Sequence, residues 1–191
     1  MRQTGTKEKI VLEGKALLQK HGYNGFSFQH IADKLKIKKP SLYDHYSSKD
    51  QLMLAIIQEY STRFEEWSQS ISTLSPLNRI RKIFDVFYYF ASDKGKVCPV
   101  LALAADFQEL SKEIQKEMRV FVEKWLSWLE KQISEGQKQG EIRSDWEPKE
   151  LANFIYNQGM GSQFHSRIKS EPKLTLHSGD FIISLIKRNK K

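Results

Sequence analysis

The 191-residue chain reads as an all-α protein: a small N-terminal three-helix unit and a larger helical domain, about nine helices together. Three observations predict this. Apolar residues recur at intervals of three and four along nearly the whole length, no stretch alternates convincingly as a strand would, and helix punctuation falls between the periodic segments.

From Lys7 to His21, the positions Ile10, Val11, Gly14, Leu17 and Leu18 share one face, and Gly22 supplies a stop. Ser27 stands as N-cap before Phe28, Ile31, Ala32 and Leu35, giving a short second helix ending near Lys36. Pro40 lacks an amide proton that an opening helical turn does not use, so a third helix runs from about Lys39 to His45. Ser48 caps a fourth, with Asp50 near the positive end of its dipole and Leu52, Ile56, Tyr60, Phe64, Trp67 and Ile71 as its stripe.

Ser75-Pro76 opens a fifth helix striped by Leu77, Ile80, Phe84, Phe87 and Ala91; after the loop at 94–96 a short apolar helix begins near Pro99. The longest periodic run, Leu110 to about Gln139, turns Ile114, Met118, Val122, Trp125, Leu129 and Ile133 inward, and Gly140 ends it. Glu147-Pro148 opens the next helix, through Phe154, Ile155 and Phe164. A last one is expected around Phe181, Ile182, Leu185 and Ile186, with 170–180 unassigned because Gly179 disfavours a helix there.

The formal charge is +8 with a pI near 9.4, which suits nucleic acid or an acidic membrane surface. The first fifty residues carry ten Lys or Arg against five acids, so most of the excess lies there. A single cysteine, Cys98, excludes an internal disulfide; it reads as a packed thiol rather than a redox sensor. The opening MRQTGTKEKI has no apolar run of a signal peptide, and the longest apolar stretch, 97–105, is too short to cross a bilayer. The expectation is a soluble cytoplasmic protein. No cofactor and no metal site are expected: the five histidines form no HxxxH pair, and Gly159 and Gly161 follow no strand, which favours close helix packing over a phosphate loop. Catalysis finds little support, and no enzyme is expected.

Two short helices with a tight turn and a basic second helix describe a helix-turn-helix, expected over residues 1–50, with a larger helical domain over 51–191. Its polar residues then face DNA. Lys38 and Lys39 can reach guanine edges or phosphate, Ser41 and His45 bases or backbone, and Tyr43 a phosphate; Pro40 offers an apolar surface to a thymine methyl. Lys49, at the start of the fourth helix, is read as a phosphate ligand. Ser27, Gln29 and Asp44 complete the candidate DNA contacts. On composition alone, a charge run between helices is a solvated surface more often than a DNA contact.

Residues 22–52, GYNGFSFQHIADKLKIKKPSLYDHYSSKDQL, resemble the N-terminal signature of the TetR family of bacterial transcriptional regulators, through Gly22, Tyr23, Ser27, Ile31, Ala32, Leu42, Tyr43, His45, Tyr46, Ser48, Lys49 and Asp50. Two positions depart from the pattern: Lys36 where the family has a turn glycine, and Lys38 where it has a serine cap. The resemblance implies a homodimer joined through the last two long helices, about residues 148–188, bound to double-stranded DNA at an inverted-repeat operator. It also implies a small-molecule effector held between helices of the larger domain, whose arrival tilts the fourth helix and releases the DNA. Candidate lining residues are Phe84, Phe87, Tyr88, Cys98, Phe107, Met118, Phe121, Trp125, Trp128, Phe154 and Asn157, suited to a flat or greasy molecule, although aromatic stripes at this spacing also serve as ordinary core. Repression is the expected sign. An architectural DNA-binding protein or an activator without a sensor, and a carrier or enzyme for hydrophobic ligands, remain alternatives.

Overall fold

The computed structural model describes residues 5–188; residues 1–4 and 189–191, at the outer edges of the two expected domains, lie outside the described residues. Among those described there are nine α-helices: α1 Thr6–His21, α2 Phe28–Leu35, α3 Lys39–Tyr43, α4 Lys49–Ser70, α5 Pro76–Ser92, α6 Pro99–Ala104, α7 Lys112–Lys138, α8 Pro148–Lys169 and α9 Lys173–Ile186. A 3₁₀ turn, Phe107–Glu109, sits between α6 and α7.

Contacts divide the chain into two compact units. One comprises the chain up to Arg63 together with Cys98–Val120; the other comprises Phe64–Val97 and the chain from Phe121 onward. A boundary at residue 50, as expected from sequence, cuts α4 just after it starts, whereas the contacts keep Lys49–Arg63 with the N-terminal helices. They also bring in Cys98–Val120 from further along the chain.

The first unit is built by α1 packing on α2 and α6, and α2 on α3. Its core holds Ile10, Leu18, Ile31, Ala32, Leu42, Leu52 and Ile56. α2 begins in a capping box formed by Ser27 and His30, in which the Ser27 amide donates to His30 Nδ1 at 3.1 Å. It ends at Lys36, in the left-handed region at φ 54°, with the Ile37 amide closing on the Ala32 carbonyl at 3.0 Å. Lysine there costs about 1 kcal/mol relative to glycine; the closure of the helix offsets it. Ser48 Oγ accepts the Gln51 amide at 3.2 Å, the expected cap of α4.

In the second unit α5, α8 and α9 pack against one another, burying Ile80, Phe84, Ile155, Ile182 and Ile186. The last helix starts eight residues before the expected Phe181, at Lys173. Gly179, expected to disfavour helix, is buried within it: a Cβ there would lie 2.5 Å from Phe84 Cγ. Its missing side chain is the condition for α9 to approach α5, and that packing outweighs the propensity cost of roughly 1 kcal/mol. Gly159 of α8 does the same against Phe87, at 2.7 Å. An isolated antiparallel bridge, Ile142 to Lys187, ties the end of α9 to the segment before α8.

Candidate nucleic-acid interface

α3 is held by one apolar side chain. Leu42 is fully buried beneath it, while Lys38, Lys39, Pro40 and Asp44 are exposed and Ser41 and His45 half-buried. Lys38 is the N-cap, its carbonyl accepting the Ser41 amide at 3.0 Å, and Pro40 lies in the first turn, so the helix starts where the sequence places it. It stops at Tyr43, two residues short of the expected His45. Tyr43 is 49% exposed and its ring meets Phe28 of α2 at 5.0 Å between centroids. This contact ties Tyr43 to the start of α2, where Phe28 is buried and Ser27, Gln29 and His30 are exposed. Gln29 also bonds Asp33 Oδ1 at 2.7 Å.

Lys49 departs from its sequence-based reading as a phosphate ligand. Its ammonium turns inward, donating to the Tyr23 carbonyl and to the Phe26 carbonyl at 2.7 Å, and lies over both rings, 4.4 and 4.5 Å from their centroids. Burial lowers its pKa, with Asp106 and Asp50 opposing. Two of three donors are committed to the protein, so the residue acts as a clamp between the α1–α2 turn and the start of α4. Beside it, the Tyr23 hydroxyl donates to Asp50 Oδ1 at 2.7 Å; burial first, then that bond and the Asp50 charge, push the phenol up to about 12. The carbonyl acceptors that turn Lys49 inward have no side-chain signature in the sequence. The capping role of His30 was missed as well; its position three residues after Ser27, where Glu or Gln usually closes the box, was the available signal.

The candidate effector residues are shared between the two units. Phe107 and Met118 belong to the first unit, where Phe107 lies beneath the Arg119 guanidinium at 5.0 Å. Cys98, also there, is buried and accepts the Leu101 amide at 3.3 Å as N-cap of α6, in keeping with a packed thiol. In the second unit two aromatic groups form. Phe84 meets Phe87 at 5.9 Å, Phe87 meets Trp125 at 6.4 Å and Trp125 meets Tyr156 at 5.0 Å. Phe121 and Trp128 both meet Phe64, at 5.9 and 5.8 Å, and Trp128 also meets Trp67 at 5.5 Å. Tyr88 is half-buried, Phe154 packs on Trp146 at 5.9 Å, and Asn157 is exposed on α8. Sequence reading missed Tyr156, and also a buried polar stretch of α8, Ser162, Gln163 and Ser166; the Ser166 hydroxyl has no hydrogen-bond partner among the described residues.

Among the described residues no three His, Cys, Asp or Glu side chains converge to hold a metal ion, and no helix is long and apolar enough to cross a membrane.

A short basic helix, pinned by one leucine to its predecessor and presenting lysines, a proline and a tyrosine outward, defines a helix-turn-helix DNA-binding unit. Residues 10–56 match the family described as bacterial regulatory proteins, tetR family, and residues 76–178 match the tetracyclin repressor-like C-terminal domain. The chain belongs to the TetR family of DNA-binding transcriptional regulators, a family of operator- and small-molecule-binding proteins rather than enzymes. Among its relatives is the HTH-type transcriptional repressor DhaR of Mycobacterium sp. (strain GP1), 26% identical over 175 residues, 88% of this chain and 86% of that one. A TetR transcriptional regulator from Legionella pneumophila superposes with a TM-score of 0.89 at 29% identity, over 98% of this chain and all of that one. AibR, crystallised with isovaleryl coenzyme A and operator DNA, shares the fold with a TM-score of 0.71 at 22% identity, over 94% of this chain and 97% of that one.

Proposed function

We propose that this protein is a homodimeric, effector-responsive repressor, which reads an inverted-repeat operator with α3 of each copy and leaves it when a small hydrophobic or aromatic molecule occupies the C-terminal domain. The observation that carries this reading is the exposure of Lys38, Lys39, Pro40 and Tyr43 over a buried Leu42. Lys39 and Ser41 face base edges in this account. Lys38, Tyr43 and the exposed start of α2 grip phosphate.

Self-association is supported by an apolar face on the last two helices: Phe164 and Ile168 of α8 are 43% and 79% exposed and Phe181 of α9 is 68% exposed. Gly161 lies on the same stripe of α8, with no atom within 4 Å of where its Cβ would be. Such a surface suits a second copy, and a two-fold axis brings two recognition helices about 34 Å apart, one turn of DNA. The aromatic groups around Phe87 and Trp128 favour a flat apolar effector, and the unpartnered Ser166 hydroxyl favours one that also carries a hydrogen-bonding group. The named repressor DhaR supports the sign of regulation.

Binding selection from random duplexes tests the reading. An inverted-repeat consensus is expected; recovery of unrelated sequences at similar affinity would instead mark an architectural protein.

A further inference from the structure

The turn between α1 and α2 joins more than those two helices. Gly22, at φ 77°, and Gly25, whose Cβ would lie 2.1 Å from the His21 carbonyl oxygen, close it tightly. On one side it is fastened to α4 by Lys49 and by the Tyr23–Asp50 bond. On the other side Asn24 Nδ2 donates to Asp106 Oδ1 at 3.1 Å and to Glu109 Oε2 at 3.2 Å. These two carboxylates bracket the 3₁₀ turn Phe107–Glu109, none of whose residues is buried.

Polar contacts therefore seat this turn. From α7, buried Gln115 donates Nε2 to the Leu110 carbonyl at 3.0 Å, and Arg119 covers Phe107. Asp106 also feels the Lys49 charge, but the direct hold on the turn is two exposed hydrogen bonds from one neutral amide, a weak seat. An element held by a few exposed hydrogen bonds belongs to the low-stability end of a fold and can open without the core unfolding.

We infer that Asn24 is a latch: it ties the order of the 3₁₀ turn Phe107–Glu109 to the seating of the helix-turn-helix, so that DNA occupancy and the state of the α6–α7 segment are linked in both directions. Linkage is reciprocal, so whatever loosens the turn weakens DNA binding and DNA binding tightens the turn. α7 runs on beyond Val120 into the second unit, which gives the latch an input other than the tilt of α4. Only that input rests on the effector-responsive reading above. Asn24 is a positioning residue and touches no DNA in this account.

Amide hydrogen exchange of the full chain, with and without DNA, tests the latch. The probe is the duplex recovered by selection, or a duplex of arbitrary sequence if selection returns no consensus; in that case the repressor reading fails while the latch is still measured. In the wild type, DNA should slow exchange across 105–111 by at least about fivefold. Asn24→Ala should abolish that slowing while leaving protection of α3 in place. Asn24→Asp, of the same size but facing two carboxylates with a third, should do the same and serves if the alanine variant folds poorly. Exchange across 105–111 that ignores DNA in the wild type, or that is slowed equally in both variants, would overturn the inference.

Discussion

The Tyr23 hydroxyl donates to Asp50 Oδ1 at 2.7 Å, across the junction where the α1–α2 turn meets the first turn of α4. Burial, then Asp50, hold the phenol at about 12 against an ordinary 10.0. The folded state thus keeps a proton that the unfolded chain releases. Stability from this pair is complete below pH 10 and is lost as pH rises toward 12. Lys49 has the opposite sign: its lowered pKa means that the unfolded chain binds the proton more tightly, so its contribution rises with pH below 10.5. Denaturant unfolding of Tyr23→Phe against wild type isolates the tyrosine, and the variant should lose less stability between pH 10 and 12.

Lys49→Ala removes the donor that ties the Tyr23 and Phe26 carbonyls to α4. Hydrogen bonds from a charged group contribute about 1.5–3 kcal/mol when buried; for a half-buried ammonium about 1–2 kcal/mol is expected. Thermal unfolding should fall by several degrees. The slope of log affinity against log salt should stay as in wild type, since the clamp contacts no phosphate.

Glu59 governs the acid side of the first unit. Burial raises its carboxyl, but hydrogen bonds from Lys15, at 2.7 Å, and Arg63 outweigh that and lower it below the ordinary 4.5. Its contribution is present above pH 4.5 and is lost as pH falls further. Glu59→Gln should flatten the acid limb of a stability-against-pH curve.

Three glycine-to-alanine variants separate packing from propensity. Gly179→Ala and Gly159→Ala press a methyl into Phe84 and Phe87; overpacking of about 1–3 kcal/mol should exceed a propensity gain of about 1 kcal/mol. Both should lower the unfolding midpoint. Gly161→Ala meets nothing within 4 Å in the single chain, so it should leave the protomer intact and weaken self-association in sedimentation.

Helix starts were legible because each rests on a local device: Ser27 with a capping box, Pro40, Ser48, Pro76, Pro99 and Pro148. The start of α9 was not, since Gly179 reads as a breaker until Phe84 is known to lie across it. The 3₁₀ turn is too short to carry a period. The exposed residues of α3 were legible from their polarity around a lone Leu42. Lys49 was not, because a lysine's sequence context does not say whether water, phosphate or two carbonyls will take its protons. The split of Met118 from Trp125 was hidden because one continuous helix, α7, serves both units.

Equilibrium binding of wild type and Lys39→Ala to the selected duplex and to a random one is the most direct test of the central claim, that the exposed α3 reads base sequence. The account predicts that Lys39→Ala loses about 10- to 100-fold of the specific-to-random affinity ratio, as expected for a lost base contact. An unchanged ratio, with both affinities reduced alike or not at all, would contradict it.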